Sequence, residues 1–285
     1  MRWASLFLLL AQLAHADANN PAPLSVDELK RLDIDVTLTV EEALDPGPGF
    51  TAYLVSYRYA GLKLHAMVAV PTTEMPPAGF PVVVANHGYV PDPRRYGITA
   101  DGRNSRPGDY YRSVPSLFTS RGFLTVIPDY RGHNSSEGFH LINPQTSESF
   151  AFYAEDVVAI LKALDQIDDA DTDNVFAWGH SMGGLVMVKA LLATDRVRAS
   201  SFWSTMDVVE HAGRIDELDG PVNVHHATGD EATAVDNSRQ LAGWLRDADR
   251  LAGFYEYDEA DHYFDEQRRE SAADLDASLF RSRLR

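Results

Sequence analysis

The segment Gly179-His180-Ser181-Met182-Gly183-Gly184 closes an apolar run over 174–178 and leads into a helical pattern over 185–192. A serine between two glycines at a strand-to-helix junction has a definite chemistry. The turn forces the serine into a strained backbone conformation, and the glycines let strand and helix pass without side-chain collision. The hydroxyl then stands at the end of the strand, above a helix N-terminus whose free N–H groups and dipole favour developing negative charge. Gly-x-Ser-x-Gly also arises by chance in glycine-containing loops, so the assignment depends on its flanks and on partners elsewhere. A serine hydroxyl attacks a carbonyl only if a base takes its proton and a carboxylate holds that base in the right tautomer.

Those partners occur further along the chain, each just past an apolar run. Asp230 follows the run 221–227 in Thr228-Gly229-Asp230, and His262 follows the run 254–257 in Ala260-Asp261-His262-Tyr263-Phe264. In the chain order Ser, Asp, His, this makes Ser181 the expected nucleophile, Asp230 the orienting acid and His262 the base. Asp207 is the main rival for the acid, with Glu231 behind it. Asp129 precedes the serine and is expected to brace the loop that carries Arg131. The chain has ten histidines. His180 sits inside the elbow and cannot easily reach back to Ser181. It is expected to line the strand face or the pocket, while His87 and His133, at strand ends, could border the site. His225 and His226 lie within a strand, so at least one should pack in the interior. Negative charge on the attacked oxygen needs two donors, expected to be the backbone N–H groups of Met182 and Tyr89. A long loop over 90–109 carries Arg94, Arg95, Tyr96, Arg103 and Arg106. With His87 and His180, Arg94 and Arg95 are candidate substrate contacts; the alternative is a solvated loop whose charges face water.

The elements that must position these residues follow from periodicity. A Ser25-Val26-Asp27-Glu28 capping box predicts a short helix to about Leu32. Alternation predicts a strand over 33–40, then a turn over 45–49, then strands over 50–59 and 62–70 paired as an antiparallel hairpin at a sheet edge, with Thr51, Tyr53, Val55 and Tyr57 on one face. From residue 81 onward, β-branched runs at 81–85, 122–128, 174–178, 199–206, 221–227 and 254–257 alternate with helical patterns at 110–120, 149–167, 185–192, 234–250 and 265–285. Pro115 should kink or restart the first of these helices, and 168–173 reads as an acidic loop. The expected fold is α/β: a mostly parallel sheet with helices on both faces, an N-terminal antiparallel hairpin and function at the carboxyl ends of the strands. The connection 207–220 is too short for a large cap domain.

The totals set limits. The chain has 285 residues and a formal net charge of −17, which argues against a nucleic-acid or anionic-membrane partner. It has no cysteine, which excludes disulfides, thiolate metal sites and a cysteine nucleophile. Arg2, the apolar run 6–11 and Ala14-His15-Ala16 or Ala16-Asp17-Ala18 read as a cleavable export signal over 1–18, too short to be a membrane anchor. An N-terminal segment over 19–49 and a catalytic domain over 50–285 complete the expected organisation. Asn134-Ser135-Ser136 matches a glycosylation acceptor but is read as a chance match.

Several motifs together carry a family resemblance: Met67-Val68-Ala69-Val70-Pro71, Pro81-Val82-Val83-Val84 with His87-Gly88, Asp129-Tyr130-Arg131-Gly132 with Ser135 and Gly138, the serine elbow, and Ala260-Asp261-His262-Tyr263-Phe264. Over 50–270 the chain resembles the α/β-hydrolases, and within them the prolyl-oligopeptidase (S9) catalytic domain and dienelactone-hydrolase-like esterases. The resemblance implies an α/β-hydrolase fold and a serine hydrolase that needs no cofactor or metal; the export signal adds the expectation that it is secreted or periplasmic. It acts on a small-molecule ester or a short peptide. Two departures shift the expectation toward esters. No propeller-sized region precedes residue 50, and Gly-His-Ser-Met-Gly-Gly is more like esterases and lipases than S9 peptidases. The cysteine nucleophile of dienelactone hydrolases has no counterpart. A carboxylesterase is expected first, an S9-type peptidase or aminopeptidase next and an acyltransferase third; a non-catalytic binding module is the alternative of another class.

Overall fold

The computed structural model describes residues 22–90, 113–143, 146–258 and 260–285. The expected export signal and Arg94, Arg95, Arg103 and Arg106 lie outside the described residues.

Among the described residues, nine strands form one sheet in the order β1-β2-β3-β5-β4-β6-β7-β8-β9. Strand β2 (Phe50–Tyr59) pairs antiparallel with β1 (Thr39–Gly47) on one side and β3 (Leu62–Pro71) on the other, and β3 pairs antiparallel with β5 (Leu124–Asp129). From there the sheet is parallel through β4 (Phe80–Asn86), β6 (Ala170–His180), β7 (Val197–Trp203), β8 (Val222–Ala227) and β9 (Leu251–Tyr257). The expected hairpin is therefore β2–β3, with β1 outside it as the edge. On β2 the expected alternation holds. Tyr53, Val55, Tyr57 and Tyr59 pack with one core cluster, and Phe50, Ala52 and Leu54 with the other.

The central strands are apolar on both sides because helices cover both faces. On β4, Val82 and Val84 point to one core, Val83 and Ala85 to the other; on β6, Val175 and Ala177 oppose Phe176 and Trp178. Helices α3 (Ser147–Ala163), α4 (Met182–Leu192) and α5 (Val235–Asp247) cover the first face, joined by the short α1 (Val26–Arg31). Helices α2 (Val114–Thr119) and α6 (Glu266–Arg281) cover the second.

Three boundaries differ from the expectation, each for a physical reason. The first strand begins at Thr39 and runs through Pro46, not over 33–40. Proline is tolerated there because β1 is an edge, where a missing donor costs no ladder bond, and the pairing is irregular between Leu44 and Gly47. Asp171 and Asp173 belong to the start of β6 instead of a loop; the register with β4 shifts between Pro81 and Val82, so this acidic end overhangs the core. Pro115 falls in the first turn of α2, where its absent N–H breaks no intrahelical bond, so it opens the helix without kinking it.

Charged side chains secure the N-terminal segment. Ser25 and Glu28 form the expected capping box. Leu24 N–H donates to Glu155 Oε1 at 2.6 Å, and Lys189 Nζ donates to Leu24 O at 2.7 Å, so this stretch is strapped to α3 and α4.

Candidate active site

Ser181 connects β6 to α4 with φ 57° and ψ −125°, a region that side chains other than glycine rarely occupy. The chain is forced into it by close packing. A Cβ on Gly179 would lie 2.7 Å from Gly183 O, and one on Gly183 would lie 2.1 Å from Asn86 O. The second contact has a consequence for chemistry. It lets the N-terminus of α4 press against the end of β4, so that Met182 and the loop carrying Tyr89 become neighbours. Met182 N–H, the first of its helix, has no acceptor among the described residues. Tyr89 and Ser181 line one pocket of about 300 Å³, together with Phe150, Met206, Ala232, Thr233, His262 and Tyr263.

His262 reaches this pocket from the loop after β9. Its Nδ1 lies 2.7 Å from Asp230 Oδ2, and because a carboxylate only accepts, Nδ1 carries the proton. Nε2 has no protein partner among the described residues and is the nitrogen open to the pocket. Among the described residues, Ser181 Oγ likewise has no hydrogen bond to protein and makes no direct bond to His262. The two residues line the same pocket.

Asp230 is enclosed by donors. Ala232 N–H and Thr233 N–H donate to Oδ1 at 2.8 and 2.9 Å, and Thr233 Oγ1 lies 2.8 Å from Oδ2. Burial favours the protonated acid. The hydrogen bonding of His226, His262 and the Thr233 N–H outweighs it and holds the carboxyl far below the usual carboxylate range. The rival acids are elsewhere. Asp207 accepts from Val209 N–H at 2.8 Å, and Glu231 is exposed.

Two expected substrate contacts take other places. His180 is buried beneath the pocket, its ring centroid 4.6 Å from that of His262 and its Nε2 2.9 Å from His262 O. Burial and the neighbouring His262 push its pKa down to about 3, so it is a neutral donor that ties down the His262 backbone. His87 is also buried, stacked on Tyr130 at 4.3 Å and beside His133 at 5.1 Å. Burial lowers both of these histidines, His133 to about 4. The alternation of β6 sends the side chain of His180 to the same face as Trp178, the strand-face placement that was one of the two expected for it.

Around the neighbouring loop, Asp129 receives Asn134 Nδ2 at 3.2 Å and so braces the Arg131 loop as expected. Arg131 is buried in a two-pronged contact with Asp156, with Nε–Oδ1 at 3.0 Å and Nη2–Oδ1 at 2.7 Å. Sequence reasoning missed Thr233 and His226, both of which touch the Asp230 turn. Thr233 was recoverable, since Asp-x-x-Thr is an Asx-turn spacing. His226 gave no such signal.

With this geometry in place, the chain can be set beside known proteins. A family model described as serine aminopeptidase, S33, matches residues 91–200. None of the curated proteins matches in sequence. Among solved structures, acetyl xylan esterase 1 from Thermoanaerobacterium sp. superposes with a TM-score of 0.61 at 15% identity, covering 93% of this chain and 96% of that one. A dienelactone hydrolase from Klebsiella pneumoniae, described as putative in its structure, gives 0.64 at 16% identity, covering 82% and 99%. Dipeptidyl peptidase 4 from Porphyromonas gingivalis also gives 0.64 at 16% identity, covering 83% of this chain but only 36% of that longer one. The fold is that of the α/β-hydrolases, as the sequence motifs implied, and it is shared by esterases and peptidases alike.

Proposed function

We propose that this α/β-hydrolase, a serine hydrolase, cleaves small carboxylic esters through an acyl-enzyme. Ser181 Oγ attacks the ester carbonyl while His262 Nε2 takes its proton. Asp230 holds the imidazole through Nδ1–H and stabilises the imidazolium that forms. The Met182 and Tyr89 N–H groups receive the tetrahedral oxyanion; a donor of this kind is typically worth about 2.7–4 kcal/mol in the chemical step. The alcohol leaves with the proton from His262. Water then attacks the acyl-enzyme with His262 again as base, and the acid is released from Ser181.

The observation that carries this reading is the Asp230–His262 pair, 2.7 Å apart, opening on the pocket that Ser181 also lines. The pocket lining supports an ester substrate. Tyr89, Phe150, Met206 and Tyr263 supply mainly apolar surface, and among the described lining residues there is no carboxylate to hold a substrate ammonium group. The serine aminopeptidase match favours a second reading, a peptidase acting on short peptides. An acyltransferase using the same acyl-enzyme comes third. The proposal includes export, supported by the apolar run 6–11 and the small residues before Asp17 and Asn19.

The test is to assay the purified mature chain on p-nitrophenyl esters of graded acyl length beside aminoacyl-nitroanilides. Ester turnover abolished by Ser181→Ala is expected; turnover of anilides alone overturns the ester assignment. Fluorophosphonate labelling that depends on Ser181 separates an enzyme from a hydrolase fold kept only for binding.

A further inference from the structure

Strand β8 ends in two buried histidines that alternate across the sheet. His225 faces α6, where its Nε2 lies 3.0 Å from Asp276 Oδ1. His226 faces α5 and the turn that carries Asp230. Its Nδ1 is 2.7 Å from Ser238 Oγ on α5, and its Nε2 is 3.1 Å from Thr233 O and 3.3 Å from Asp230 Oδ2. A backbone carbonyl and a carboxylate only accept, so Nε2 carries a proton. Nδ1 is then left to accept the Ser238 hydroxyl. The ring has one satisfied orientation, because a flip or the other tautomer would set a lone pair against two acceptors in a site closed to water.

We infer that His226 is a positioning residue for the acid of the active site: its Nε2–H, fixed by Ser238, pins the 230–233 turn and lies against the carboxylate oxygen that holds His262. This rests on the assignment of Ser181, Asp230 and His262 given above. Oδ2 accepts from His262 Nδ1–H at 2.7 Å and Thr233 Oγ1–H at 2.8 Å, and His226 Nε2, whose N–H donates to Thr233 O, stands 3.3 Å from the same oxygen and adds its positive edge there. Removing the His226 donor has two effects. The turn loosens, so His262 is less often oriented toward Ser181 and kcat falls. Where the pair is made, Oδ2 is a stronger acceptor, the His262 imidazolium is better stabilised, and the acid limb of kcat/KM moves to higher pH. The other groups facing His226 are Glu256, its register partner on β9, Arg239, which ties Glu256 to α5 at 2.6 Å, and His180 from β6. They are unchanged in the variants below.

The experiment compares His226→Gln with His226→Asn on a p-nitrophenyl ester that the parent enzyme turns over, reading kcat, KM, the pH profile of kcat/KM and Tm. A glutamine amide can place an N–H where Nε2 stood; asparagine is too short to do so. Expected is a fall in kcat of about 10-fold or more for the asparagine variant. Its KM should stay within about twofold and its acid limb should move upward, and glutamine should restore most of the lost kcat. Equal losses in both variants that track Tm, with an unmoved acid limb, overturn the inference and leave His226 a packing residue. If neither variant folds, Ser238→Ala decides, since it removes only the hydroxyl that orients the ring. A smaller kcat loss with the same upward shift is expected, and an unchanged profile overturns the inference. Ser181→Ala run in parallel separates the two levels. Residual turnover there defeats the catalytic assignment as well. A dead Ser181→Ala enzyme with silent His226 and Ser238 variants defeats only the role of His226.

Discussion

Two of the buried carboxylate–histidine pairs among the described residues invite comparison. Asp230 and His262 are 2.7 Å apart, and Asp276 and His225 are 3.0 Å apart. Their chemistry differs because of what surrounds the second ring nitrogen. His225 Nδ1 is taken by the Tyr257 hydroxyl at 2.8 Å, and Asp276 also accepts Trp203 Nε1 at 2.8 Å and Asn223 Nδ2 at 2.9 Å, all inside the protein. Every polar atom of that pair is committed, so it fastens α6 to β7 and β8. His262 leaves Nε2 open to a pocket that also holds a serine. The sealed pair can only fasten elements together, whereas the pair with an open nitrogen beside a serine has the arrangement that the proposed acyl transfer requires.

Matched substitutions test that contrast. Asp230→Asn should have the largest effect, lowering kcat by about 10⁴-fold, because an amide no longer selects the Nδ1–H tautomer; Asp276→Asn should leave kcat within a few-fold. Comparable kcat losses in the two would break the distinction. Asp276→Asn should instead lower stability, by about 1–3 kcal/mol, as one of three buried donors loses its acceptor, read as a lower urea midpoint at unchanged slope.

Acid pH should also separate the regions. His180, His133 and His87 have folded pKa values below their unfolded values, so the unfolded chain binds more protons and stability falls as pH drops below about 6.5. For His180 the loss continues to about 3 and for His133 to about 4, each contributing up to about 1.4 kcal/mol per pH unit inside its window. Asp230 adds a later loss. Its folded pKa is depressed, so its stabilisation is present above the ordinary carboxylate value and declines only below it. Thermal unfolding across pH 7 to 4 should show a falling Tm, with a shallower slope in His180→Asn; a flat profile contradicts the neutral, buried state of these rings. The smallest effect is expected for Tyr257→Phe. It removes one hydroxyl from the structural pair, costs about 1 kcal/mol and leaves ester turnover unchanged.

Much of this was legible before any coordinates. The Gly-x-Ser-x-Gly elbow, the run-then-Asp and run-then-His placements, the β2–β3 hairpin with its alternating faces and the capping box at Ser25 are local patterns whose physics acts over a few residues. Less legible were the ends of elements, such as Pro46 inside an edge strand or Asp171 inside β6, because neighbouring strands decide where pairing stops. The burial of His180 and His87 was equally hard to read, since a strand-end position does not say which face a ring takes once helices cover both sides.

Residue order and spacing, then, were enough to specify a strained serine, a parallel sheet and which acid and base could follow the nucleophile. They could not say that His226 would stand against Asp230, that Thr233 would fold back on the same carboxylate, or that His225 would be sealed with Asp276. Those contacts join residues on different elements, or on opposite faces of one strand. Which of them form depends on the stacking of α5 and α6 against β8, a consequence of packing the whole sheet that no short window of sequence encodes.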